Sequence, residues 1–270
     1  MRKTPATAFD RAAPRYDADA ADNAMMGWLR RESLRHLVRA FRADDVVLEV
    51  GCGTGSEAIA LARRGVRVVV TDVSEGMVAV LSEKLAGDPG VAALVTARVL
   101  PAERLGDLLA QYGPGYFDGA YSSLGPLNCT DDLGAVAADM SLLVRPGGRV
   151  VVSLLNKYCL WETAWYLAAR QPSLAFRRWR GHATGTALPG GPLMEVRYWP
   201  VAEIERVFMR AGFRVTARRS LPWALPPTYA AHILNRRPRL FRLLRRIERN
   251  TSRFWPFRKL GDHVHLSFEL

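Results

Sequence analysis

The most constraining stretch of the chain is Val46-Val47-Leu48-Glu49-Val50-Gly51-Cys52-Gly53-Thr54-Gly55. A short apolar run ends in glycines at alternate positions, and helix-spaced Ala58, Ile59, Leu61 and Ala62 follow over Ser56 to Arg64. Such a strand–loop–helix crossing lets a ligand approach the backbone and sets the unpaired N–H groups of a helix start beside it. A second β-branched run, Val66 to Val70, closes on Thr71-Asp72. A carboxylate at that strand tip can accept hydrogen bonds from ribose hydroxyls. The glycines read G-x-G-x-G, not the dinucleotide pattern G-x-G-x-x-G, and Glu49 precedes the first by two residues. A carboxylate there would repel a pyrophosphate and attract an ammonium, so the pattern favours a ligand with a ribose and an amino-acid head group. No Gly-Lys-Ser/Thr follows, which excludes a P-loop.

The alternation continues. Ser74 to Leu85 has helical spacing, Ala93 to Leu100 reads as a weaker strand, Phe117 to Tyr121 as a strand, Leu133 to Leu143 as a helix and Gly148 to Leu155 as a strand. Strands alternating with helices of this length imply a parallel sheet covered on both faces. Before them, about residues 7 to 42 read as helical. After them come Val201 to Ala211 as a helix stopped at Gly212, Phe213 to Arg218 as a strand, Leu240 to Ile247 as an Arg-rich amphipathic helix and His263 to Glu269 as a strand. Gly181 to Pro192 reads as a loop. Hydrophobic residues make up 49% and charged residues 24%, a globular balance with no apolar run long enough to span a bilayer. The charged first 22 residues do not read as a secretory signal, and three scattered cysteines suit a reducing, cytoplasmic setting.

With these motifs together the chain resembles the class I S-adenosylmethionine-dependent methyltransferases. The resemblance rests on the glycine loop, Val70-Thr71-Asp72-Val73-Ser74, Phe117-Asp118-Gly119-Ala120-Tyr121-Ser122 and Leu143-Val144-Arg145-Pro146-Gly147-Gly148, with Arg210-Ala211-Gly212-Phe213-Arg214 further on. It implies an α/β fold, a doubly wound, mostly parallel seven-stranded sheet with its last strand antiparallel, plus a helical lid and cap insertions. The implied organisation is a lid over 1–42, a cofactor core over 43–155, a cap insertion over 156–196, and completion of the core over 197–270 with a basic helical insertion at 221–260. The implied cofactor is S-adenosylmethionine, leaving as S-adenosylhomocysteine. By the resemblance Gly51, Cys52, Gly53 and Gly55 hold the methionine portion, Glu49 its amino group and Asp72 the ribose. Val73 and Met77 line the adenine pocket, Ala102 and Glu103 stand near it, Ser122 and Leu124 lie beside the methyl group, and Tyr16 reaches the carboxylate end from the lid. Pro101 occupies the place where many relatives carry an acid.

For the acceptor side the candidate catalytic residues are His182, Glu162, Tyr158 and Asn128. A hydroxyl acceptor needs a base, whereas a neutral amine does not. Each candidate also has a plain structural reading: His182 as a surface histidine, Glu162 as the partner of a nearby arginine, Asn128 as a helix cap. No spacing of His, Asp and Glu suggests a metal. The expected substrate is a small, partly aromatic or hydrophobic metabolite of specialised metabolism, methylated at N or O. The alternatives are a prenylated or lipid substrate at a membrane surface and an RNA. The net charge of +12 divides unevenly: residues 1 to 155 hold 17 basic and 19 acidic groups, and residues 156 to 270 hold 21 and 7. The arginines of 236–259 read as a solvated face, a peripheral membrane contact or, least in keeping with the motifs, a nucleic-acid surface.

Overall fold

The computed structural model describes residues 4–180, 184–187, 193–230 and 237–270, and every structural statement below concerns these. Seven strands form one sheet: β1 (Val46–Val50), β2 (Arg67–Asp72), β3 (Val95–Val99), β4 (Phe117–Ser122), β5 (Val144–Leu155), β8 (Arg214–Leu221) and β9 (His263–Glu269). Their order is β3-β2-β1-β4-β5-β9-β8. The pairings among β1 to β5 are parallel, and β9 runs antiparallel to both β5 and β8. This is the doubly wound sheet with an antiparallel last strand expected from the motifs. A separate hairpin pairs β6 (Thr184–Ala187) with β7 (Leu193–Val196), within and just after the stretch whose sequence reads as a loop.

The central strands are apolar at consecutive positions because both of their faces are covered. In β1, Leu48 and Val50 enter one core with the helices Leu133–Leu143 and Val201–Arg210. Val47 enters the opposite core with the helices Ala24–Ala40, Ser56–Ala62 and Glu75–Ala86. The order of the strands reverses between β1 and β4, so a crevice opens at their carboxyl ends, where ligands of such sheets bind.

The amino-terminal stretch is not one helix. It breaks into Pro5–Ala12, Tyr16–Ala21 and Ala24–Ala40. Asn23 starts the last of these, its Oδ1 accepting from the N–H groups of Met25 and Met26 at 3.1 Å. An apolar stripe does not reveal such a break, because the periodicity survives a turn that the cap creates. No described helix is long and apolar enough to cross a membrane.

The antiparallel end of the sheet rests on Phe208 and Phe268, both fully buried and stacked with ring centroids 4.5 Å apart. Phe208→Ala should lower stability by about 3–5 kcal/mol, whereas Leu142→Ala at an exposed helix position should cost under about 0.5 kcal/mol. Urea unfolding followed by circular dichroism checks the contrast.

Candidate functional site

The loop after β1 is held by β2: the N–H groups of Gly51 and Cys52 both donate to the Thr71 carbonyl, at 2.8 and 3.0 Å. Gly51, Gly53 and Gly55 have φ of +75°, +52° and +76°, a region that only glycine enters freely. Their surroundings differ. A side chain at Gly51 would meet Pro126 at 2.1 Å, and one at Gly55 would meet Leu81 at 2.3 Å. At Gly53 nothing lies within 4 Å. The outer two glycines are therefore packing positions, and the middle one faces open space.

That space is a cavity of about 630 Å³ at the carboxyl ends of β1, β2, β4 and β5. Asp72 shapes its near wall, with Oδ2 accepting from Gly53 N–H at 2.7 Å and Oδ1 from Ser74 N–H at 2.9 Å. Burial raises the Asp72 pKa above its ordinary value despite these two donors. Glu49 is 1% exposed, and burial together with the charges of Glu57 and Asp72 pushes its carboxyl well above the ordinary range. Glu57 is also raised, chiefly by burial, with Arg30 opposing. One buried oxygen of each glutamate, Glu49 Oε2 and Glu57 Oε1, has no hydrogen-bond partner. A wall with two buried carboxyls short of partners has the chemistry of a cation receptor.

The amino-terminal segment closes this wall. Asp10 Oδ1 accepts from Ser74 Oγ at 2.6 Å and from Gly76 N–H at 3.0 Å. Asp17 accepts from Thr54 Oγ1 at 2.7 Å and pairs with Lys84 at 2.5 Å. Phe9, Tyr16 and Met26 then face the cavity, with the Arg30 guanidinium over the Tyr16 ring at 5.6 Å.

The far wall carries a buried ionic chain. Arg178 donates to Glu162 Oε2 at 2.6 Å and to Asp262 Oδ1 at 2.7 Å, and Arg177 holds the same glutamate at 2.8 Å. Burial, the largest single influence, would raise the Asp262 pKa, but Arg178 and His263 together outweigh it and keep this carboxylate well below the ordinary range. The second oxygen of Asp262 lies 3.2 Å from His263 Nδ1. Asp262 and His263 both border the cavity, alongside Leu155, Val196, Tyr198 and Thr228. The Asp262 carboxylate therefore stands beside the imidazole, while His263 Nδ1 makes no hydrogen bond of good geometry.

Of the residues named from the sequence for the cofactor, Tyr16, Glu49, Gly51, Cys52, Gly53 and Asp72 border the cavity. So do Val73, Met77, Ala102, Glu103 and Leu124. Gly55 does not, since it is filled by Leu81, and Ser122 lies one residue short of the wall, which Ser123 reaches. The catalytic candidates fare differently. Asn128 is spent on structure: its Nδ2 donates to the carbonyls of Leu155 and Arg197, and its Oδ1 accepts from Leu155 N–H. Nor does it cap the helix after it, because Asp132 does. Glu162 is claimed by Arg177 and Arg178, which hold its pKa down against burial, and it does not border the cavity. Tyr158 lies edge-on to Trp179, away from the wall. His182 lies outside the described residues. The sequence gives Glu57 no role, sets Asp10 and Asp17 in the amino-terminal stretch without naming their contacts, and presents His263 only as the first residue of a strand. Adjacent polar residues opening an alternating strand carry no signal of their own. Among the described residues no cluster of His, Cys, Asp and Glu is arranged for a metal.

Residues 47–148 match a family described as a methyltransferase domain. The chain is 32% identical over 149 residues to the ubiquinone/menaquinone biosynthesis C-methyltransferase UbiE of Geobacter sulfurreducens, covering 53% of this chain and 55% of that protein. It is 36% identical over 119 residues to a ubiquinone biosynthesis O-methyltransferase of Pseudomonas paraeruginosa, covering 44% and 48%. The chain thus spans about half the length of the curated relatives it matches. In fold it is similar to the CcbJ methyltransferase of Streptomyces caelestis, with a TM-score of 0.62, 20% identity and 96% of each chain covered.

The three glycines give a graded test. Gly51→Ala drives a methyl into Pro126 at a positive φ and should cost about 2–4 kcal/mol. Gly53→Ala carries only the backbone penalty of about 1–2 kcal/mol. It should therefore stay folded in urea titrations while losing affinity for a ligand seated against the loop.

Proposed function

We propose, for a chain whose residues 47–148 are a methyltransferase domain of the class I S-adenosylmethionine-dependent family, that the protein transfers a methyl group to a hydroxyl of a small hydrophobic or aromatic molecule enclosed in the 630 Å³ cavity. The observation that carries this is the pairing of two unlike walls in one cavity. One holds buried carboxyls short of a cation, and the other holds a histidine backed by a carboxylate.

The residues suit the cofactor. The open space at Gly53 would receive its backbone-proximal part, and the unpartnered oxygens of Glu49 and Glu57 would take its ammonium. Asp72 orders the loop through Gly53 and keeps further lone pairs for a ribose, with Val73, Met77, Ala102 and Glu103 as the adenine side. When bound, S-adenosylmethionine supplies a methyl carbon already activated by its sulfonium, so the chain's task is alignment, exclusion of water and removal of one proton. Phe9, Met26, Leu124 and Leu155 line an apolar compartment for the acceptor. His263 takes the hydroxyl proton, and Asp262 stabilises the resulting imidazolium. The names of the quinone-pathway relatives, together with the apolar compartment, favour a phenolic acceptor of amphiphilic character, the class in which the specialised-metabolite and prenylated readings meet.

Two measurements test this. Calorimetry with S-adenosylhomocysteine should show binding that tightens as pH rises. A cation favours ionised Glu49, whose pKa is raised in the free protein, so binding expels a proton and is favoured by higher pH. Glu49→Gln should weaken binding and flatten that pH dependence, and an unchanged profile would exclude the assignment. With a phenolic acceptor found by mass spectrometry, His263→Asn should lower kcat by about 10²–10⁴ while leaving S-adenosylhomocysteine affinity intact. Full activity in that variant would remove His263 as the base.

A further inference from the structure

The helix Pro238–Thr251 is only half used by the fold. Leu240, Phe241 and Leu244 pack against Met25, Trp28, Leu29, Leu221 and Leu225. Buried Glu248 ties it further, accepting from the N–H groups of Trp223 and Ala224 at 2.9 and 2.8 Å. The opposite side is open. Leu243 is 56% exposed and Ile247, one turn on, is 37% exposed. The line continues into Phe254 at 52% and Trp255 at 75%. Exposed Arg239, Arg242, Arg246 and Arg253 surround these four.

Folding concentrates the charge more than the sequence order does. Helix Ala24–Ala40 lies against this one and adds arginines from the nearly neutral front half. The Arg245 guanidinium is held below its ordinary pKa by burial and by Arg249, Arg31 and Arg35. Arg219 is lowered by burial and by Arg39 and Arg253. His36, facing Arg219 and Arg39, is pushed down to about 4, first by burial and then by them. Two buried carboxylates oppose these groups: Glu32, already shared between Arg35 and Arg249, and Glu248 beside Arg219. Cations crowded beyond what two shared carboxylates offset repel one another, and an anionic surface relieves that repulsion.

We propose that this face is a docking surface for an anionic lipid bilayer. The arginines meet headgroup phosphates while Leu243, Ile247, Phe254 and Trp255 enter the interfacial layer. Charge complementarity calls for an anion, and the apolar residues decide which kind. Aromatic rings alone could stack on the bases of a nucleic acid, but exposed leucine and isoleucine gain nothing there, whereas both are stabilised in the acyl boundary. The helix that carries Arg31, Arg35 and Arg39 reaches the cavity at its other end, where Asn23 borders it and donates from Nδ2 to the carbonyl of Thr228 at 3.0 Å. The docking surface does not depend on methyl transfer.

The test is sedimentation of the full chain with vesicles of mixed phosphatidylcholine and phosphatidylglycerol, against phosphatidylcholine alone. Binding should require phosphatidylglycerol, weaken with salt and quench tryptophan emission when the acyl chains are brominated. The double variant Leu243→Glu with Trp255→Ser should bind about tenfold or more weakly, with an unchanged thermal midpoint and S-adenosylhomocysteine affinity. Three results would each overturn the proposal: no sedimentation with the mixed vesicles at low salt, equal binding by the folded double variant, or binding to transfer RNA with none to vesicles.

Discussion

The carboxylate of Asp72 joins the two turns on which the cavity is built. One oxygen holds Gly53 in the loop after β1 and the other holds Ser74 at the start of the helix after β2. Ser74 in turn donates its hydroxyl to Asp10, so the amino-terminal helix is attached to the same knot. Loop, second strand and amino-terminal helix are therefore coupled through three consecutive hydrogen-bonded links. The burial that raises the Asp72 pKa is part of the arrangement, because a carboxylate satisfied by backbone donors tolerates low polarity better than one facing solvent that never arrives.

Across the cavity a second ionic device works in the opposite sense. Glu49 and Glu57 of the near wall each keep one buried oxygen without a hydrogen bond, while Asp262 on the far wall and Glu162 behind it pair with Arg177 and Arg178. An unsaturated wall recruits a cation from outside, whereas a saturated one holds its own geometry and presents His263.

The legibility of these parts followed the range of the interactions. The glycine loop, β1 and β2 were readable because their causes are local: positive φ and β-branched runs. Glu49 and Asp72 were readable through spacing from the glycines. Asn128, Glu162 and Tyr158 were plausible by type and by position after β4 and β5, yet each side chain is turned away from the cavity by partners distant in sequence, such as Arg197 for Asn128 and Arg178 for Glu162. His263 escaped notice because its significance comes from Leu155, its partner across the β5–β9 register, which sets it at the ligand end of the sheet.

The amino-acid sequence by itself determined the alternating α/β architecture, the crossing after β1 and the type of ligand that crossing admits, since periodicity, glycine conformation and the placement of one carboxylate are properties of short segments. It also determined that the positive charge is concentrated in the back half. Only the tertiary structure decided that this charge is joined by Arg31, Arg35 and Arg39, that Glu49 and Glu57 are buried together with one oxygen each unpaired, and that His263 borders the cavity. Those are juxtapositions of residues far apart in the chain, and their energies depend on burial and mutual distance, which exist only once the sheet has brought the segments together.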